Sequence, residues 1–130
     1  MKKKNIKMET IYEWVKEPFL QTKRKTEKRT KYYYAISIPY RAIREEKINP
    51  NKTYNIEVKS PKKENKEIPY HKLEFKKVYT WEAKPFSHTY RILNSGEKHK
   101  YYCFPIPVNA TRTGKIDPDK EYLFQAKLKK

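Results

Sequence analysis

"ISIPYRAIREEKINPNKTYNIEV", from Ile36 to Val58, returns sixty-eight residues later as "FPIPVNATRTGKIDPDKEYLFQA", from Phe104 to Ala126. Between Tyr33 and Lys59 that offset gives 12 identities in 27 ungapped positions, among them Ile38/Ile106, Pro39/Pro107, Ala42/Ala110, Arg44/Arg112, Pro50/Pro118 and Tyr54/Tyr122. Shared composition alone does not match residues at that density in one register. Upstream, once one residue is dropped from the first copy, "IYEWVKEPFLQT" (Ile11 to Thr22) lies on "VYTWEAKPFSHT" (Val78 to Thr89), and Tyr-x-Trp-x-x-x-Pro-Phe is kept in both. The chain reads as a tandem duplication of a unit of about 55 to 60 residues. A basic tail (1–7) precedes the first repeat (8–59), a Lys-rich linker (60–74) follows it, and the second repeat covers 75–128. The tail and the terminal "KLKK" are expected to be disordered. Each unit is near the lower size limit for a core of its own, so the two are expected to share one.

Within a repeat the apolar pattern has the period of strands. In "KYYYAISIP" it sets Tyr32, Tyr34, Ile36 and Ile38 on one face, with Tyr33, Ala35 and Ser37 on the other. The second copy sets Tyr102, Phe104 and Ile106 opposite Tyr101 and Cys103, and Tyr54, Ile56 and Val58 (Tyr122, Phe124 and Ala126) form a further strand. Between these strands "NPNK" and "DPDK" have the chemistry of a tight turn: Asn49 or Asp117 bonds the following backbone while Pro50 or Pro118 presets φ. "PYRAIREEK" predicts a short helix after Pro39; "PVNATRTGK", with two Thr and a Gly, predicts little more than a turn. "YEWVKEPF" and "YTWEAKPF" predict an edge strand interrupted by Pro18 or Pro85. A hairpin connection then follows, clearest at "LNSGEK", where Gly96 is free to take positive φ. The expected fold is mainly β with short helices.

The totals bear on partners. With 32 Lys and Arg against 15 Asp and Glu, the formal charge of +17 opposes compaction and favours a polyanion. Twelve Tyr, five Phe and two Trp can build a core from few positions, so a folded chain is expected despite only 36% apolar residues. No stretch approaches the ~18 apolar residues of a spanning helix, and the basic start is not followed by the apolar segment of a secretory signal, so no membrane partner and a cytoplasmic location are expected. Cys103 stands alone, excludes an internal disulfide and reads as a small strand residue.

An Ile-Pro strand end, a short helix, an apolar residue, a turn and a final apolar strand together resemble the AbrB, MazE and SpoVT-like swapped-hairpin family of DNA-binding domains. The resemblance covers about 25 residues of each repeat, "ISIPYRAIREEKINPNKTYNIEV" and its second copy. The family's Gly-Asp after the turn is replaced here by Asn51-Lys52 and Asp119-Lys120. The resemblance implies a barrel of two interleaved halves that binds DNA. In the family two chains form it, whereas here one duplicated chain would supply both halves as a pseudo-twofold monomer or a weak homodimer.

No catalytic or cofactor constellation emerges, and an enzyme is not expected. His71, His88 and His99 are 17 and 11 apart with no cysteine pair beside them, which is not metal-ligand spacing. Two glycines, Gly96 and Gly114, cannot form a phosphate loop. The binding signal is "TKRKTEKRTK", where Lys23, Arg24, Lys25, Lys28, Arg29 and Lys31 face one acid, Glu27, in a segment predicted to be a hairpin connection that follows a phosphate backbone. Its counterpart retains Arg91, Lys98 and Lys100 as a weaker footprint. Arg41, Arg44 and Arg112, on the helical segments, are further candidates for DNA or for pairing with a nearby carboxylate. Tyr12, Trp14, Tyr79 and Trp81 suit core packing better than base stacking. Double-stranded DNA is the favoured partner. An RNA or ribonucleoprotein role, and a basic module or inhibitor docking on an acidic protein, are the alternatives.

Overall fold

The computed structural model describes residues 8–63, 65, 67–92, 94–96 and 98–129, without the side chains of 8, 71, 88–92, 98, 99 and 129. The basic tail therefore lies outside the described residues. The chain is mainly β. In the first half β1 (Met8–Lys16), β2 (Phe19–Lys25), β3 (Thr30–Ser37), α1 (Tyr40–Arg44) and β4 (Tyr54–Pro61) follow one another. After a 3-10 turn at Tyr70–Lys72 the same order returns as β5 (Phe75–Ala83), β6 (Phe86–Ile92), β7 (Lys98–Pro105), α2 (Val108–Arg112) and β8 (Tyr122–Lys129).

The strands form two antiparallel sheets, β1-β8-β4-β5 and β2-β3-β7-β6, and neither closes on itself. Each pairing between halves has its reciprocal. The first strand of each half pairs with the last strand of the other, β1 with β8 and β5 with β4, while β4–β8 and β3–β7 occupy the two sheet centres. The same exchange appears in single bonds: Ile38 N donates to Tyr102 O at 2.9 Å and Ile106 N to Tyr34 O at 3.0 Å. One hydrophobic cluster between the sheets draws on both halves, with Ile36, Val58, Phe104 and Phe124 all wholly buried.

Local chemistry explains the repeated stretch. Pro39 and Pro107, at φ −55° and −57°, precede the helices, for which a preset φ suits the entry. Past each helix the chain folds back so that Ala42 O accepts from Ile48 N at 3.1 Å and Ala110 O from Ile116 N at 2.9 Å. Asn49 Oδ1 then accepts from Asn51 N (2.8 Å) and Asp117 Oδ1 from Asp119 N (2.9 Å), closing the two expected turns. The buried hydroxyls of Tyr54 and Tyr122 accept from the turn amides of Asn49 and Asp117 at 2.6 and 2.8 Å. The repetition thus serves architecture. Trp14 Nε1 donates to Ser37 O and Trp81 Nε1 to Pro105 O, while Tyr12 and Tyr79 pack on the core, as the strand spacing of these aromatics suggested.

Several expectations need correction. The second helix is not a mere turn: α2 has the same five-residue length as α1, because Pro107 opens it and Ala110 is buried under it despite a poor helix-forming composition. Pro18 and Pro85 do not interrupt one edge strand; each lies between two strands that belong to different sheets. Ala35 and Cys103 are buried although they lie on the face away from Ile36, since each is flanked across the ladder by larger residues, Phe19 and Pro105 for Ala35, Phe86 for Cys103. The terminal "KLKK" is ordered through Lys129 as the end of β8, because Leu128 packs on the core and Lys127 Nζ reaches Glu57 Oε2 at 3.0 Å. The linker is not wholly polar spacer either: Tyr70 sets its ring edge-on to Phe75, 5.2 Å between centroids.

Candidate nucleic-acid interface

The basic segment "TKRKTEKRTK" is a two-stranded ribbon, not a loop. Beyond Tyr34 the β2–β3 ladder continues as Lys23↔Tyr32, Arg24↔Lys31 and Lys25↔Thr30. The ladder can extend past the core because its backbone bonds are made within the hairpin and its side chains need no burial. The tip is closed by Thr26 N to Arg29 O at 2.9 Å and by the Thr26 hydroxyl to the same carbonyl at 2.7 Å. Lys23, Arg24 and Lys25 therefore stand on β2, Lys28 and Arg29 in the turn, and Lys31 on β3.

None of these six cations forms an ion pair among the described residues. Arg24 and Lys31 sit directly opposite each other, an arrangement that costs stability when no anion lies between like charges. Lys23 Nζ lies 5.8 Å from the centroid of the Tyr32 ring, near enough for a cation–π contact. The second arm, β6–β7, has Arg91 opposite His99 and Lys98 opposite Ile92. The side chains of Arg91 and Lys98 lie outside the described residues, whereas Lys100 is exposed.

The helical arginines separate into different roles. Arg41 is bound to Glu45, Nε to Oε1 at 3.0 Å, and this hydrogen bond raises its pKa further. Of its two expected roles, it has the intramolecular pair. Arg44 is exposed and makes no ion pair among the described residues. Arg112 donates through Nη2 to Asn109 Oδ1 at 2.7 Å, which leaves the rest of its guanidinium to solvent.

The fold brings three of the expected residues together across the two halves. Arg29 and Lys31 of the ribbon and Arg112 of α2 line one groove of about 320 Å³ between β3 and α2. Tyr32 and Tyr34 are on its strand wall, Val108 and Thr111 on its helix wall. Neither Arg41 nor Arg44 reaches it. The alternation of "KYYYAISI" does place Tyr32 and Tyr34 with Ile36, yet Tyr32 is 44% exposed because that face runs past the core and out over α2. The neighbouring helix could not have been read from the sequence, since it comes from the other repeat.

Cys103 is buried, and burial pushes its thiol up to about 11 against a weaker opposing hydrogen bond from Ser37. Among the described residues no three His, Cys, Asp or Glu side chains converge as a metal site would need, and no helix is long and apolar enough to cross a membrane. Compared with protein-family models, with curated proteins and with solved structures, the chain matches none.

Proposed function

We propose that this protein binds double-stranded DNA, with the β2–β3 ribbon entering the major groove and the second arm making a lesser contact. The observation that carries the reading is the ribbon itself: six cations without acidic partners among the described residues, two of them held in direct opposition. A two-stranded ribbon fits the width of the B-form major groove, and phosphates on either side would relieve the Arg24–Lys31 repulsion. The reciprocal strand pairing supports the finer reading, a one-chain, pseudo-twofold counterpart of the AbrB-like swapped-hairpin barrel. On this reading the chain is a non-enzymatic transcriptional regulator or architectural protein of the cytoplasm, monomeric or weakly dimeric.

The test is fluorescence anisotropy of the purified chain with labelled random duplex DNA and with structured RNA of equal length, at stepped salt. Duplex DNA should bind more tightly, with affinity falling steeply as salt rises. Replacing Lys23, Arg24, Lys28 and Arg29 by Ala should flatten the log–log slope by about 3 to 4, the loss of four phosphate contacts. Tighter binding of RNA, whose major groove is too narrow for the ribbon, would overturn the DNA reading in favour of a ribonucleoprotein role. Binding to neither would favour an acidic protein partner.

A further inference from the structure

We infer that the groove between the ribbon and α2 is a binding site for a single nucleotide, with the base against Tyr32 and Tyr34 and the phosphate between Arg29 and Arg112. The inference deepens the nucleic-acid reading and rests on it for the nature of the ligand. The volume, about 320 Å³, is at the small end of ligand sites and matches one nucleotide better than a longer oligomer. Among the described residues no carboxylate lines the groove, so Arg29 and Arg112 act on an entering anion without an internal competitor. An inorganic anion alone would leave the other half of the lining unused. Tyr32 and Tyr34 offer ring surface, Val108 and Pro118 supply apolar wall, and the hydroxyls of Tyr32 and Tyr34 can bond the edge of a base. A planar aromatic ring carrying a phosphate uses the whole lining.

At the positions that correspond by the sixty-eight-residue offset, Arg29 is matched by Glu97, Tyr32 by Lys100 and Thr111 by Ile43, while Thr30 is matched by Lys98, Val108 by Tyr40 and Arg112 by Arg44. The exchange of Arg29 for Glu97 replaces a cation with an anion and that of Tyr32 for Lys100 removes a ring, while Lys98 and Tyr40 add a cation and a ring elsewhere. The two copies therefore carry cations and tyrosines at different positions of the same unit. The ligand can come as a free nucleotide or as an unpaired nucleotide of a strand held by the ribbon.

Heteronuclear NMR of the full chain titrated with adenosine 5′-monophosphate, adenosine and inorganic phosphate tests the site. The monophosphate should shift the amides of Thr30 to Tyr34 and of Val108 to Arg112, with adenosine and phosphate each at least tenfold weaker. Arg112→Glu and the groove-filling Thr111→Trp should each abolish the shifts while leaving the remaining spectrum dispersed. In parallel, a short duplex with one unpaired terminal nucleotide is compared with its blunt form. A preference for the overhang that Thr111→Trp removes identifies a strand as the source; monophosphate binding without that preference identifies the free nucleotide. An equal response to phosphate alone, or shifts that miss these residues and no Thr111-dependent overhang preference, overturns the inference. Blunt-duplex affinity is read separately, so the DNA reading can stand when the groove fails. It can also fall while the monophosphate still binds.

Discussion

Glu46 and Gly114 occupy the same place in the two repeats, just past the helix, and both have positive φ, 58° and 79°. Only glycine takes that conformation without cost; a side chain there is destabilising by about 1 kcal/mol. Glu46→Gly should therefore stabilise the protein by about 1 kcal/mol and raise its Tm by roughly 3 °C, and Gly114→Ala should do the reverse. A Cβ built at Gly114 meets nothing within 4 Å, so its cost is backbone conformation alone. Thermal melts of both variants check the sign; a destabilised Glu46→Gly would refute the strain. Cys103 gives a second test. With its thiol pushed up to about 11 by burial, almost no thiolate exists at pH 8, and alkylation should be at least tenfold slower in native buffer than in denaturant. Equal rates would show that the residue is open to reagent.

Among the elements the ribbon sets stability against the DNA binding we propose. Arg24→Thr removes the like-charge opposition and should stabilise the free protein by about 0.5 kcal/mol at low salt, a gain that shrinks as salt screens it, while duplex affinity falls. Denaturant melts and anisotropy on one sample measure both; a destabilised variant would remove the repulsion from the account. On the opposite sheet Glu57 of β4 is held by Lys127 of β8 at 3.0 Å and by Lys59 at 3.4 Å. Burial pushes the Glu57 carboxyl up, but the two lysines together outweigh it and hold it below its ordinary 4.5. A lowered folded-state pKa contributes stability above the unfolded value and loses it as pH falls through the folded one. Glu57→Gln should flatten the stability–pH curve below about pH 4.5 and leave its shape at neutral pH unchanged. These elements differ in how far the sequence reveals them. The turns at Asn49 and Asp117 and the strands after them are legible because a Pro-fixed φ, an Asx side chain and an alternating run are local causes. In the sequence the ribbon reads as a connection because its bonds are backbone bonds, which charged side chains do not advertise. The helicity of Val108 to Arg112 depends on burial of Ala110, a tertiary fact.

For the whole molecule the internal repeat tells that there are two halves; that they interleave is only what the family resemblance implies, and the residues do not say which strands pair. Nothing in "METIYEWVK" names "YLFQAKLK" as its partner, yet β8 is the strand on which β1 is hydrogen-bonded, and β4 is that for β5. The groove is illegible for the same reason: Arg29 and Arg112 line one groove only because α2 of one half packs on β3 of the other. Separate chains of residues 1–63 and 64–130 should therefore each be largely unfolded or self-paired alone and should form a native-like complex when mixed. Circular dichroism and size-exclusion chromatography decide this, and a native-like monomeric spectrum from either piece would contradict the exchange. Joining the two halves covalently has one more consequence. Two identical chains must present the same surface twice, so any duplex they favour is drawn toward a palindrome. Here Arg29 and Glu97, or Tyr32 and Lys100, can differ at corresponding corners without either being copied to the other. If the proposed DNA binding holds, a protein of this build would distinguish left from right along the duplex, and repeated selection from random duplexes should return a directional motif with one strong half and one weak half.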